Sequence, residues 1–149
     1  MRSLALVSVG LVLLGVLGLD SALAQRPGVI RITAREVASR RVEDGPRGVG
    51  HVTVVWEALF NRGLTPKPIG HVESVCTLLA RDSWNCSATY LLPRGKLVVS
   101  GATRLEGAYE LPVIGGTGLY DGARGVLSGQ TTAVFPRAER LVFRLLLQP

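Results

Sequence analysis

Hydrophobic and polar residues alternate in short runs along most of the chain after residue 24. In the first run Ile30 and Ile32 flank Arg31, and the pattern continues to residue 38. Alternation with a period of two predicts β-strands that turn one face toward a core. Eight such runs are separated by turn residues, and they cover residues 29–38, 51–61, 70–79, 84–92, 96–104, 109–114, 124–135 and 138–148. Because helical periodicity is almost absent there, we expect an all-β protein.

Most connections between the predicted strands are short. Strands that are joined by short turns are usually neighbours in space and antiparallel, which predicts a meander. Eight such strands close into an up-and-down antiparallel β-barrel, which removes the exposed edges of a sheet and leaves room for one small ligand. Periodicity alone leaves a β-sandwich open as the alternative.

The first 24 residues have the organisation of a signal peptide. Arg2 precedes an almost purely apolar segment over residues 4–19, and Ala22-Leu23-Ala24 is a small-x-small cleavage site. The alternative is a membrane anchor, but the apolar segment is shorter than a bilayer span and ends at Asp20. We therefore expect a mature chain that starts at Gln25, a single domain over residues 25–149, and a secreted or periplasmic location without further membrane association.

The chain is basic, with 17 Lys and Arg against 11 Asp and Glu and a net charge of +6. The arginines are scattered, and aromatic residues make up only 5%. Nucleic-acid-binding surfaces combine clustered cations with aromatic side chains, so a nucleic-acid partner is not expected. The charge favours solubility and loose attraction to anionic polymers.

Two cysteines, Cys76 and Cys86, flank a predicted turn centred on Arg81. Antiparallel pairing about that turn places Leu79 opposite Ser83 and the two cysteines opposite each other, close enough for a disulfide. An exported protein would form that bond. Free thiols are one alternative, and a zinc site that includes His71 would lack a fourth ligand.

Three glycines, Gly115, Gly116 and Gly118, follow an apolar run. We expect a sharp reversal there, with one helical turn over residues 119–123 and a positive φ at Gly116. A phosphate-binding loop is the alternative, but no Gly-Lys-Ser/Thr ending or long helix follows.

The string Ile-Gly-Gly-Thr-Gly-x-Tyr-x-x-Ala-Arg-Gly over residues 114–125 resembles the glycine signature of the dirigent and allene oxide cyclase-like barrels. The resemblance extends more weakly over about residues 44–135 and suggests an exported bacterial-type member. It implies an eight-stranded barrel, often trimeric, in which Tyr120 and Ala123 plug one end and Arg124 bonds backbone carbonyls. In the dirigent branch cavity acids are implicated in protonating quinone-type intermediates, and those acids have no residue-by-residue match here.

Polar residues in the middle of strands are the candidates for chemistry. Period two places Glu57 on a face with Val55 and Leu59, while Trp56 lies on the other face. Since both faces are apolar, Glu57 either points inward, where desolvation raises its pKa and suits it to acid–base work, or outward into solvent or an oligomer interface. Glu57 and Tyr90 are the predicted catalytic residues.

Further candidates for the cavity lining are His71, Glu73 and Arg104. His71 and Glu73 lie two apart, so they could share a proton on one face of their strand, and the alternative is an exposed polar face. We expect no metal ion and no cofactor, since the two histidines lack partners at metal-ligand spacing and no nucleophile or zinc motif is present.

Three functions stay open for such a barrel. It could steer a reactive hydrophobic intermediate as an isomerase, cyclase or dirigent-type protein, it could carry a small apolar ligand without chemistry, or it could be a packed structural barrel. The expected partners are a small hydrophobic molecule and further copies of the chain in a dimer or trimer. Fold analogy names no substrate.

Overall fold

The computed structural model describes residues 26–42, 48–61, 67–104 and 106–147. All eight predicted runs form strands within these ranges. The strands are β1 (Arg26–Arg41), β2 (Val52–Asn61), β3 (Gly70–Ala80), β4 (Ser83–Leu92), β5 (Gly95–Thr103), β6 (Ala108–Gly118), β7 (Arg124–Val134) and β8 (Arg137–Leu147). The predicted signal peptide lies outside the described residues, and the described part of the chain contains no helix that could cross a membrane.

The strands close into one antiparallel barrel in sequence order, and β1 pairs with β8 to complete it. This confirms the predicted meander and excludes the sandwich. Alternate residues of each strand point inward, so Leu59, Leu97 and Phe143 are fully enclosed. The two ends of the barrel differ. We call the end with the chain reversals at 93–94 and 119–123 the packed end, and the end with those at 81–82 and 135–136 the cavity end.

The packed end is closed by the turn that follows β6. Tyr120 and Ala123 are buried against the apolar core there, as the family resemblance implies. The turn is tied to the β4–β5 connection by a bond from the Leu119 N–H to the Arg94 carbonyl of 2.9 Å. Arg124 donates from Nη1 to the Ala123 carbonyl at 2.9 Å. One end of the interior is therefore filled by side chains.

The glycines do not form the reversal itself, contrary to expectation. Gly115, Gly116 and Gly118 belong to β6, and the chain turns only from Leu119 onward. Gly118 has a φ of 64°, but Gly116 is not in the left-handed region. A Cβ at Gly116 would instead contact the Tyr120 carbonyl and lie 2.7 Å from the Lys96 carbonyl. Gly116 therefore permits close backbone approach, whereas a Cβ at Gly115 would meet only Arg124 Nη1 at 3.9 Å.

The β3–β4 hairpin carries the Cys76–Cys86 disulfide, as predicted. The two residues are directly opposite each other, with their Cα atoms 4.1 Å apart. The expected pairing of Leu79 with Ser83 is wrong by one residue, because the register shifts after Leu78 and Ala80 pairs with Ser83. Both sulfur-bearing side chains are buried inside the barrel.

Candidate functional site

A cavity of about 210 Å³ occupies the cavity end of the barrel interior. Its apolar wall comes from Val55, Val72, Ala88, Leu111 and the disulfide. Its polar wall combines carboxyl, guanidinium and phenol groups, and these belong to Glu36, Glu57, Tyr90, Tyr109, Arg137 and Glu139. Ionisable groups are rarely enclosed unless they are paired, so this concentration marks the cavity as a candidate site.

Glu57 points into this cavity. On β2 the inward set includes Val55 and Leu59, while Trp56 on the outward face is 41% exposed. Glu57 itself is only 7% exposed, and its Oε1 is buried with no hydrogen-bond partner among the described residues. A buried oxygen without a donor is costly, and the carboxyl group that carries it belongs to a residue of the cavity lining.

The environment of Glu57 favours its neutral form. Burial is the main cause that raises its pKa to about 7, and the neighbouring Glu139 carboxylate adds to the effect. Arg137 opposes the shift and Glu36 adds to it weakly. Glu57 therefore exchanges its proton near neutral pH, as a general acid or base requires.

Glu139 is the second buried carboxyl group, and it is fully bonded. Its Oε1 accepts from Arg137 Nε at 2.7 Å and also from Arg137 Nη2, while its Oε2 accepts from the Tyr109 hydroxyl at 2.5 Å. Glu139 is 3% exposed. Hydrogen bonds of this kind fix the positions of all three side chains.

Two phenols complete the polar wall. Tyr90 packs edge-to-face on Phe143 with ring centroids 4.9 Å apart, and burial raises its pKa well above the ordinary range. Burial likewise raises the pKa of Tyr109. Both phenols stay protonated; the Tyr109 hydroxyl donates to Glu139, and Tyr90 is a second phenol in the cavity wall. The room for the Tyr109 ring exists because residue 129 is glycine, where a Cβ would lie within 2.6 Å of ring atom Cε2.

His71 and Glu73 do not line the cavity, which corrects the expectation for both. They lie on the outward face of β3, where His71 packs against Trp56 with ring centroids 5.4 Å apart. His71 Nε2 is 3.5 Å from Glu73 Oε1, and the Glu73 side chain is 63% exposed. Val72 and Ser74 occupy the inward positions instead.

Arg104 does border the cavity, but at its exposed rim. Its Nε is 3.2 Å from Asp82 Oδ2, and both side chains are largely in solvent. Such an ion pair contributes little to stability. The structure thus brings Glu57 and Tyr90 together inside the barrel and leaves Arg104 at the entrance; their predicted catalytic role stays a prediction.

Four ionisable cavity residues escaped the sequence reasoning: Glu36, Tyr109, Arg137 and Glu139. A signal for Glu139 exists, because it alternates with Leu141 and Phe143, whose inward position follows from their size and apolar character. In the sequence Glu139 lies near Pro136 and between Arg137 and Arg140, a setting typical of an exposed hairpin end. No group of His, Cys, Asp and Glu in the described residues is arranged to hold a metal ion.

No protein-family model matches this chain, and no curated protein matches it in sequence. Solved structures match its fold. A pterocarpan synthase dirigent protein superposes with a TM-score of 0.74 and 13% identity, covering 85% of this chain and 93% of that one. A pyocyanin demethylase superposes with a TM-score of 0.68 and 18% identity, covering 79% of this chain and 99% of that one. A Diels–Alderase from Streptomyces koyangensis superposes with a TM-score of 0.66 and 14% identity, covering 84% of this chain and 70% of that one.

These similarities agree with the resemblance of the glycine signature. The chain has the eight-stranded barrel fold that is shared by dirigent proteins and cyclase-type barrels. At such low identity the likeness concerns the fold, and the chemistry has to be argued from the cavity itself.

Proposed function

We propose that this protein binds a small hydrophobic molecule at the cavity end of the barrel and directs its cyclisation or isomerisation. The observation that carries the proposal is Glu57, a buried carboxyl group with an unbonded oxygen on an otherwise mostly apolar cavity. A barrel that served only as a scaffold would gain nothing from this arrangement, because an unpartnered buried acid destabilises the fold.

In the proposed reaction the Glu57 carboxylate takes a proton from one atom of the bound molecule, and the resulting carboxylic acid gives a proton to another atom. The molecule is thereby rearranged with no net gain or loss of atoms. The cavity walls restrict its conformations, which is the larger contribution when a reactive molecule has several possible products. Tyr90 supplies a hydrogen bond to developing negative charge.

Binding is tested with a blocked cavity. Ala88 is buried in the cavity wall, and its neighbour Ser87 faces outward. Ala88→Leu should fill the cavity and abolish binding of a small neutral aromatic such as 1-naphthalenemethanol, measured by calorimetry. Ser87→Leu is the matched control and should bind like wild type, with circular dichroism confirming that both variants fold. Equal binding by both variants would place the ligand elsewhere.

Chemistry is tested with precursors that cyclise spontaneously to mixtures of stereoisomers. We expect the wild-type protein to shift the product ratio, and Glu57→Gln to bind the precursor while losing that shift. A protein that binds such molecules and leaves the ratio unchanged is a carrier, which is the alternative function. The mostly apolar cavity wall supports either outcome, and the ionisable Glu57 favours chemistry.

Export is part of the proposal and rests on residues 1–24. Recovery of a mature chain beginning at Gln25 from the medium or periplasm, identified by mass spectrometry, is the expected result. Intact Met1 in a membrane fraction would contradict it.

A further inference from the structure

Among the ionisable groups that face the cavity, carboxyl groups outnumber cations. Glu36 extends from β1, Glu57 from β2, and Glu139 and Arg137 from β8. The lining residues from β3, β4 and β6 are neutral, and Tyr90 and Tyr109 are their titratable members. At the rim Arg104 is directed to Asp82. Three carboxyl groups thus accompany one interior guanidinium, which makes the cavity unfavourable for an anion.

The single interior cation is already committed. Arg137 donates from Nε and Nη2 to Glu139 Oε1, and Tyr109 donates to Glu139 Oε2. Glu57 therefore has no cation of its own, and its Oε1 has no donor at all among the described residues. The Arg137–Glu139 ion pair is therefore complete, whereas Glu57 beside it has no cationic partner among the described residues.

The remaining lining suits the apolar part of a cation. The rings of Tyr90 and Tyr109 border the cavity together with Val55 and Leu111. Aromatic rings attract positive charge over their faces, and the attraction is stronger where water is excluded.

We propose that the molecule bound here carries a basic nitrogen on an apolar ring system, and that it binds as an ammonium ion whose N–H donates to Glu57. This rests on the proposed function, because it names the ligand class of the same cavity. Below neutral pH the ammonium ion enters, Glu57 releases its proton to solvent, and the two charges pair. Binding and loss of one proton are thus linked.

The competing ligand class is a neutral molecule with a carbonyl or ether oxygen, which would accept the proton of neutral Glu57. The two classes have opposite pH dependence. A cation requires ionised Glu57, so its affinity rises by about tenfold per pH unit up to about pH 7 and then levels off. A neutral acceptor loses affinity above that pH.

The test compares 1-naphthylmethylamine with 1-naphthalenemethanol, which have the same ring and differ in charge. Calorimetry between about pH 5 and pH 8, in two buffers of different ionisation enthalpy, gives affinity and protons released. At the upper pH we expect the amine to bind at least tenfold more tightly than the alcohol. Below pH 7 we expect binding of the amine to release protons. Glu57→Gln should remove this preference and the pH dependence, and Glu73→Gln on the outer face should retain both.

Three outcomes overturn the inference: tighter binding of the alcohol at high pH, an amine affinity that is unchanged in Glu57→Gln, or failure of both compounds to bind. The first leaves the proposed function standing with a neutral ligand. The second leaves a cavity that recognises cations without Glu57. The third removes the proposed function as well, so the two failures are distinguishable.

Discussion

At the scale of the residue, Glu57 links stability to the candidate site. Its pKa is about 7 in the folded protein against an ordinary value of 4.5. The folded state therefore holds a proton that the unfolded chain releases, and the stabilisation from that proton is complete below pH 4.5. It is lost as the pH rises through about 7, and the loss is about 3 kcal/mol.

Replacing the acid should remove this loss. We expect Glu57→Gln to be more stable than wild type by about 1–3 kcal/mol near pH 8 and to differ little near pH 4, measured by urea unfolding. The amide keeps the shape of the side chain and cannot ionise. Glu73→Gln, at an exposed position of β3, should follow the wild-type pH profile. A Glu57→Gln variant that is less stable at pH 8 would show that the carboxyl group is favourably bonded.

Two neighbouring glycines differ in what a side chain would meet. A Cβ at Gly116 would collide with the Tyr120 carbonyl and crowd that of Lys96, and both obstacles are backbone atoms. We expect Gly116→Ala to lose about 2 kcal/mol or more of unfolding free energy. Gly115→Ala has only the end of the Arg124 side chain nearby and should lose less than about 1 kcal/mol. Equal losses would mean that the backbone at Gly116 is adaptable.

At the scale of the element, the β3–β4 hairpin is cross-linked inside the barrel. The cysteines are ten residues apart in sequence, so the disulfide closes a short loop and restricts the unfolded chain moderately. Replacing both cysteines by alanine should lower the unfolding free energy by about 2–3 kcal/mol, measured by urea unfolding. The wild-type protein should show no titratable thiol before reduction. Two free thiols in the native protein would contradict the bond.

The strands could be predicted from the sequence because most bury one face, and burial produces alternation. The end of β6 differs from the prediction: the sequence pattern predicts an end at 114, and the strand continues through the glycines to Gly118. Glycine signals conformational freedom in general. It does not indicate whether that freedom is used for a turn or, as at Gly116, for close packing within a strand.

The side of the strand on which Glu57 lies was not predictable from β2 alone. Both faces of β2 are apolar, since Leu59 lies inside and Val54 and Trp56 lie outside. The inward face of β2 is identified only when all eight strands are paired into the barrel, because the closed barrel has one interior that all strands share. The same information brings Glu139 on β8 and Tyr109 on β6 together, with β7 between their strands and 30 residues between their positions, so no local motif could have identified the pair.

At the scale of the whole molecule, the barrel divides its interior between two tasks. The packed end holds buried side chains such as Leu127, Leu145 and the Tyr120 plug, and their burial stabilises the fold. The cavity end holds the buried acids and phenols, which are unfavourable for folding unless they are paired. This separation lets the fold tolerate a destabilising group such as Glu57 beside an open space.

The outer surface suggests a further property of the whole molecule, namely self-association. Trp56 on β2 is substantially exposed, and Val54 and Val75 are exposed on the same face, paired with each other across β2 and β3. A cluster of large apolar side chains on a surface commonly marks an interface. Because the family resemblance also implies an oligomer, we expect a dimer or trimer that buries this cluster.

The test is the mass of the protein by light scattering at about 0.1 mM, where an interface of standard size is occupied. Wild type should have two or three times the mass of one chain, and Trp56→Asp should have the mass of one chain because a buried charge opposes association. Val126→Asp places the same charge at an exposed position on the outer face of β7 and should leave the assembly intact. A single-chain mass for wild type would contradict the expectation. A dissociated Val126→Asp with an intact Trp56→Asp would instead move the interface to β7.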